Sequence, residues 1–192
     1  VSKTTTNFYT ALIDVLPSWK AWPKRSKSLI ATSSIKVAVM YGHVYIVFPK
    51  NNAKVGSTNG GIDFWFSFKY MEKRLKMYTL LDFNNFFTKI FEKFGDIDIH
   101  DVNKTNILQK LQDADAKITK NAIPPSDIKN DIAQHYNTSW LEYFDDLLNP
   151  DKNDLKLHTI ETYDARPASE IWTDADSIMI EYGRVNNILS KV

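Results

Sequence analysis

Residues 29–49 read LIATSSIKVAVMYGHVYIVFP, and the order of residue types in this window decides the fold class. A short apolar run, preceded by Ser28, reads as a buried strand that ends in the hydroxyl cluster Thr32, Ser33 and Ser34. Ser33 or Ser34 then serves as the N-cap of a helical turn over IKVAVMYG, because a hydroxyl oxygen accepts a bond from the amides that a helix start leaves unpaired. Gly42 stops the turn, since glycine tolerates the left-handed backbone found just past helix ends. HVYIVF is β-branched and aromatic throughout and is expected to be a strand buried on both faces, closed by Pro49. Strand, cap, helix and strand follow one another without slack.

Outward from this window the same alternation continues. NFYTALIDVL, residues 7–16, carries Phe8, Leu12, Ile13, Val15 and Leu16 at helical spacing before Pro17. SWKAWPKRSK is a loop. NNAKVG is expected to be a turn and short strand, STNGG a flexible tip, and IDFWFSFKYM a further alternating strand. DFNNFFTKIFEKF reads as a helix with Phe83, Phe86, Phe87, Ile90, Phe91 and Phe94 on one broad face. From Asp96 to Asp154 the chain turns polar and helix-forming. It contains an amphipathic helix bearing Ile107, Leu108, Leu111 and Ile118, another over SDIKNDIAQHY, and a third over NTSWLEYFDDLLNP ended by Pro150. LKLHTIETYD and ASEIWTDADSIMIEYG return to strand character on either side of an Ala-Arg-Pro turn. The expectation is one α+β domain over 1–192, interrupted by a helical insertion at 96–154.

Composition narrows the function classes. With 43% hydrophobic and 24% charged residues, disorder throughout is excluded. The chain has no cysteine, so no disulfide or thiolate metal site holds it, and a cytoplasmic setting is expected. A net charge of +1 lends no global field to nucleic-acid binding. No apolar run approaches the roughly 18 to 20 residues that span a bilayer, and no signal-peptide pattern opens the chain, so no membrane partner is expected. The first residue is Val1, which suggests a processed chain or a fragment.

Few familiar chemistries are present. His43, His100, His135 and His158 stand far apart with no metal-ligand spacing, and DIDIHD at 96–101 lacks the glycine and terminal glutamate of a calcium loop, so no metal is expected. There is no nucleophile elbow and no glycine-rich phosphate cradle. Lys20, Lys24, Arg25 and Lys27 interleave with Trp19 and Trp22, a pattern that suits nucleic acid, an anchored loop with solvated charges, or a small phosphorylated ligand.

Three groups of residues carry a resemblance. Thr32-Ser33-Ser34, Ala38-Val39-Met40-Tyr41-Gly42 and Val47-Phe48-Pro49 reproduce in order the hydroxyl cluster, the A-x-x-[YF]-[GA] helix and the V-x-P strand end of mono-ADP-ribosyltransferases. Near the C-terminus, Glu170 with Ile171 and Trp172 is similar to the motif in which that family's catalytic glutamate opens a strand. The resemblance covers about residues 24–56 and 160–183, with the helical block between them unmatched. PKRSKSLIATSS with its continuation also resembles uncharacterised proteins of large tailed bacteriophages, for which the compartment would be the host cytoplasm or the virion.

The resemblance implies a split pair of antiparallel sheets and NAD as substrate. Glu170 would stabilise the positive charge that grows on the ribose as the nicotinamide bond breaks, and Thr32, Ser33 and Ser34 would hold that ribose. Arg25 is the nearest counterpart of the family's first motif and would meet the pyrophosphate, while Tyr41 or Tyr45 would stack on nicotinamide. Ala168 stands where arginine-modifying members carry Glu or Gln, so the resemblance does not extend to arginine as acceptor. The acceptor would be a protein, a nucleic acid or water, and the helical insertion would meet a partner. Two rivals stand beside this reading: an inactive member of the fold that serves as a binding or structural module, virion-associated in a phage, and a nucleic-acid-binding module built on residues 19–27.

Overall fold

The computed structural model describes residues 8–76, 106–110, 112–113, 139–164 and 168–189. The helices expected over 82–94 and 126–136, the segment 96–101, and residues Leu111 and Ile118 lie outside them. The chain combines helices with split antiparallel sheets, an α+β arrangement, and it divides into two compact units. One unit comprises 1–21 with 68–153, and the other 22–67 with 154–192.

The first unit is helical among its described residues. Helix α1, Phe8–Val15, supplies Leu12, Ile13 and then Leu16 to a core that also buries Trp19, Phe68, Met71, Ile107, Phe144 and Leu147. Helix α3, Lys69–Leu75, starts without a side-chain cap of its own. The buried Asn153 takes that role from a distance: its carbonyl oxygen accepts from the amides of Tyr70 (3.1 Å) and Met71 (3.3 Å), while its amide donates to the carbonyls of Leu147 (3.0 Å) and Asn149 (2.8 Å). One side chain thus closes the start of α3 and the end of α4, Trp140–Leu147. Ser139 and Glu142 form a reciprocal capping box at the other end of α4. Trp19 is 1% exposed, and its indole N–H donates to the Leu148 carbonyl at 2.9 Å.

The second unit holds every described strand. Strands β1 (Leu29–Thr32), β5 (Glu170–Thr173), β3 (Lys54–Ser57) and β4 (Lys156–Thr159) form an antiparallel sheet in that order. Strands β2 (Tyr45–Pro49) and β6 (Ser177–Glu181) form a separate ribbon, followed by helix α5, Tyr182–Leu189. Helix α2, Ile35–Val39, connects β1 to β2, and Ser34 is its cap, accepting from the Val37 amide at 3.4 Å. Trp172, fully buried in β5, anchors the four-stranded sheet. It lies opposite Gly56, where a Cβ would collide with the indole, so β3 runs close to that ring only because residue 56 has no side chain. Trp22 stacks on Trp172 and Phe64 meets it edge-on.

Three expectations are corrected. HVYIVF is not buried on both faces: β2 has β6 as its only described neighbour, and Tyr45 and Phe48 are 50% and 47% exposed. IDFWFSFKYM is not a strand. It forms a bend, a 3₁₀ turn at Trp65–Ser67 and then α3, because its start is tied down locally. The Asp63 carboxylate accepts from the Trp65 amide at 2.8 Å, and the Ser67 hydroxyl donates to the Asp63 carbonyl at 2.8 Å. STNGG is not a loose tip either, since Thr58 is buried and its amide donates to the Glu170 carbonyl at 3.0 Å. Trp22 is 7% exposed and stacked, and Trp19 is buried, so neither ring of segment 19–27 offers a face to a nucleic-acid base. No helix among the described residues is long and apolar enough to cross a membrane.

Candidate functional site

The end of β1 and the start of β5 bring together residues far apart in the chain. Thr32 and Glu170 are direct cross-strand partners. The pairing continues past the strand ends: the Ser33 amide donates to the Ser169 carbonyl at 3.1 Å, and the Ser169 amide donates to the Ser33 hydroxyl at 3.0 Å. The Thr32 hydroxyl accepts from the Ser34 amide at 3.2 Å, which turns the backbone from β1 into α2. Each hydroxyl of the cluster therefore has a defined local geometry.

Glu170 is held from several directions. Its amide donates to the Gly61 carbonyl (2.9 Å) and to the Thr58 hydroxyl (2.9 Å), so the 58–61 loop folds over the strand start. One carboxylate oxygen accepts from the Phe64 amide at 2.9 Å, and the other is ion-paired with the Arg25 guanidinium. The side chains of Arg25 and Glu170 are 8% and 12% exposed, so the pair is largely withdrawn from water. Arg25 also lies over the Phe64 ring, 4.2 Å from its centroid, and 5.0 Å from that of Trp172. A guanidinium set against two aromatic faces and one carboxylate is strongly oriented.

The opposite face of the same strands borders a second feature. Leu29, Ala31, Ile171 and Thr173 of the sheet and Tyr45 and Val47 of the ribbon line a half-open cavity of about 330 Å³. Thr32 and Ser33 reach its border, while Glu170 and Arg25 do not line it, as strand alternation requires of Glu170 beside Ile171. No charged side chain among the described residues lines it. Tyr163 does, and burial, with the nearby Asp164 charge, pushes its phenol above the ordinary value although the Ser33 hydroxyl opposes the shift.

Four of the residues singled out in the sequence thus converge: Arg25, Thr32, Ser33 and Glu170. Ser34 is occupied as a helix cap. Tyr41 is 86% exposed and takes no part in the cavity lining, whereas Tyr45 lines the cavity. Thr58, Gly61, Phe64 and Ser169, which position Glu170, were not anticipated. The Ser-Thr-Asn-Gly-Gly run was the one sequence signal for Thr58 and Gly61, because such residues make backbone cradles as readily as they make loop tips, and no local signal marks Phe64 or Ser169. Among the described residues, no three of His, Asp and Glu gather into a group that would hold a metal ion. No protein-family model, no curated protein and no solved structure matches this chain.

Proposed function

We propose that the second unit is an ADP-ribosyltransferase-like module that takes NAD as substrate, with Glu170 as the carboxylate that meets the ribose. The observation that supports this reading most is the convergence of Glu170 with Thr32, Ser33 and Arg25 across more than a hundred residues of intervening chain. In the reaction, the bond between the ribose carbon and the nicotinamide nitrogen breaks, and its electron pair leaves with nicotinamide. The sugar becomes cationic until a nucleophile of a protein or nucleic-acid acceptor bonds to it and gives up a proton. A carboxylate beside the ribose lowers the energy of that cation. Thr32 and Ser33 would fix the ribose, and Arg25 would leave Glu170 for the pyrophosphate.

A second reading is favoured by one observation: both oxygens of Glu170 are already engaged, by Arg25 and by the Phe64 amide. A carboxylate held permanently in that way makes the unit an inactive binding module. Incubating the full chain with NAD and measuring free nicotinamide separates the two. On the transferase reading the wild type releases nicotinamide, and Glu170→Gln slows release by about a hundredfold or more. Release that is unchanged in Glu170→Gln removes the assignment. No release from either protein, together with a rise in melting temperature on adding NAD, establishes the binding module instead.

A further inference from the structure

We propose that strand β6 is a self-complementary edge through which two copies of this chain pair, joining their β2–β6 ribbons into one four-stranded antiparallel sheet. The direction of the backbone groups is fixed at the two ends of the ribbon. There the Tyr182 amide donates to the Val44 carbonyl at 2.8 Å and the Lys50 amide to the Asp176 carbonyl at 2.9 Å, so the even-numbered residues of β6 bond inward to β2. Ser177, Met179 and Glu181 therefore turn their backbone groups to the outer edge, with which no strand among the described residues pairs. Proteins usually blunt such an edge with lysine, proline or a bulge. Ser-Ile-Met-Ile-Glu has none of these, and Ile178 and Met179 are 68% and 54% exposed. The edge of β2, by contrast, ends in Pro49, which has no amide to give.

The residues of β6 select a second copy as the occupant. Antiparallel pairing about Met179 sets Met179 against its own counterpart, Ile178 against Ile180 and Ser177 against Glu181, so each apolar residue meets an apolar one and the carboxylate meets a hydroxyl. Beyond the strand, Asp176 of one copy arrives at the end where Arg184 of the other lies 77% exposed, 3.0 Å from Glu181, so opposite charges meet on both sides of the two-fold axis. Sliding the register to put Ile178 on the axis would set Asp176 against Ile180 and lose that match. Phe48 and Ile178 of one copy then continue into Ile180 and Ile46 of the other as an unbroken apolar row. A stable interface takes about 20 to 30 residues a side, whereas here the 5 of β6 and their flanks meet, so the association is weak, roughly micromolar. β6 supplies no residue to the Glu170 cluster, and the dimer is independent of the transferase reading.

The test is sedimentation of the full chain from micromolar to millimolar concentration, which should show a monomer–dimer equilibrium. Met179→Lys and Met179→Glu each set like charges opposite one another on the axis and should weaken the dimer about tenfold or more, while an equimolar mixture of the two should dimerise at least as well as wild type. Because the chain has no cysteine, Met179→Cys supplies a single thiol, and paired residues whose Cα atoms are about 5.5 Å apart lie within disulfide reach. That variant should cross-link under mild oxidation, whereas Phe48→Cys, exposed but on the far strand of the ribbon, should not. The cysteine pair adds no charge and decides the matter if a charged variant fails to fold. The proposal is overturned if wild type stays monomeric at millimolar concentration, if the charged variants associate as wild type does, if their mixture stays monomeric, or if Phe48→Cys cross-links as fast as Met179→Cys.

Discussion

Replacing Arg25 with methionine keeps an unbranched apolar stem against Phe64 and Trp172 but removes the charge opposite Glu170. Both side chains of the pair are about nine-tenths withdrawn from water, so the carboxylate left behind is neither well hydrated nor paired. Removing one partner of a buried pair costs about 3 to 5 kcal/mol. The Phe64 amide still holds the second oxygen, which puts the expected cost at the lower end, about 3 kcal/mol. With a urea dependence of about 2 to 3 kcal/mol per molar, the denaturation midpoint should fall by about 1 to 1.5 M. Because the chain forms two compact units, amide exchange in β5 is the sharper readout, and protection at Glu170 and Ile171 should drop with the midpoint. Arg25→Met with Glu170→Gln should be less damaging than Arg25→Met alone, since no isolated charge remains. A single-variant cost below about 1 kcal/mol, or a double-mutant coupling near zero, would refute the claim that this pair organises the site.

Gly56→Ala should destabilise the second unit by about 1 to 3 kcal/mol, read by calorimetry, because the new methyl group meets the immobile Trp172 indole; a neutral result would mean the strand can shift. In the first unit, burial raises the pKa of Asp146, but hydrogen bonds and charge from Lys152 and Arg74 outweigh it and hold the carboxyl below 3.8. A depressed folded pKa stabilises above the unfolded value, so Asp146→Asn should be less stable than wild type above pH 3.8, and the gap should close as pH falls below it. Arg74 is 11% exposed and Lys152 46%, so Arg74→Ala should cost more than Lys152→Ala in thermal melts. Tyr163 shows the opposite sign: its pKa is raised, so its contribution is complete below pH 10.0 and is lost as pH rises through the folded value. The stability of Tyr163→Phe, followed by urea titration in alkaline buffers, should therefore fall less steeply above pH 10 than that of wild type.

Much of the local architecture is legible without coordinates. Leu29 to Gly42 reads as strand, hydroxyl cap and helical turn, and those elements form because each depends on neighbours a few residues away. Even the choice between Ser33 and Ser34 as the cap has a tertiary cause: Ser33 accepts from Ser169 and leaves the helix amide to Ser34. IDFWFSFKYM shows where periodicity fails. Its aromatic alternation fits a strand, yet Phe64 is drawn against Trp172 and its amide onto Glu170, so burial around one indole overrides the pattern.

By itself the sequence determines the α+β class and the strand, cap and helical turn over residues 29–42, because these follow from propensity and short-range hydrogen bonding. Tertiary structure alone decides that Arg25 finds Glu170 across 145 residues, that β2 stays half exposed in a ribbon, and that a cavity lies behind Ile171. Those outcomes depend on strand register. Moving β5 by one residue against β1 would exchange the faces of Glu170 and Ile171, and no local pattern specifies which of them meets Arg25.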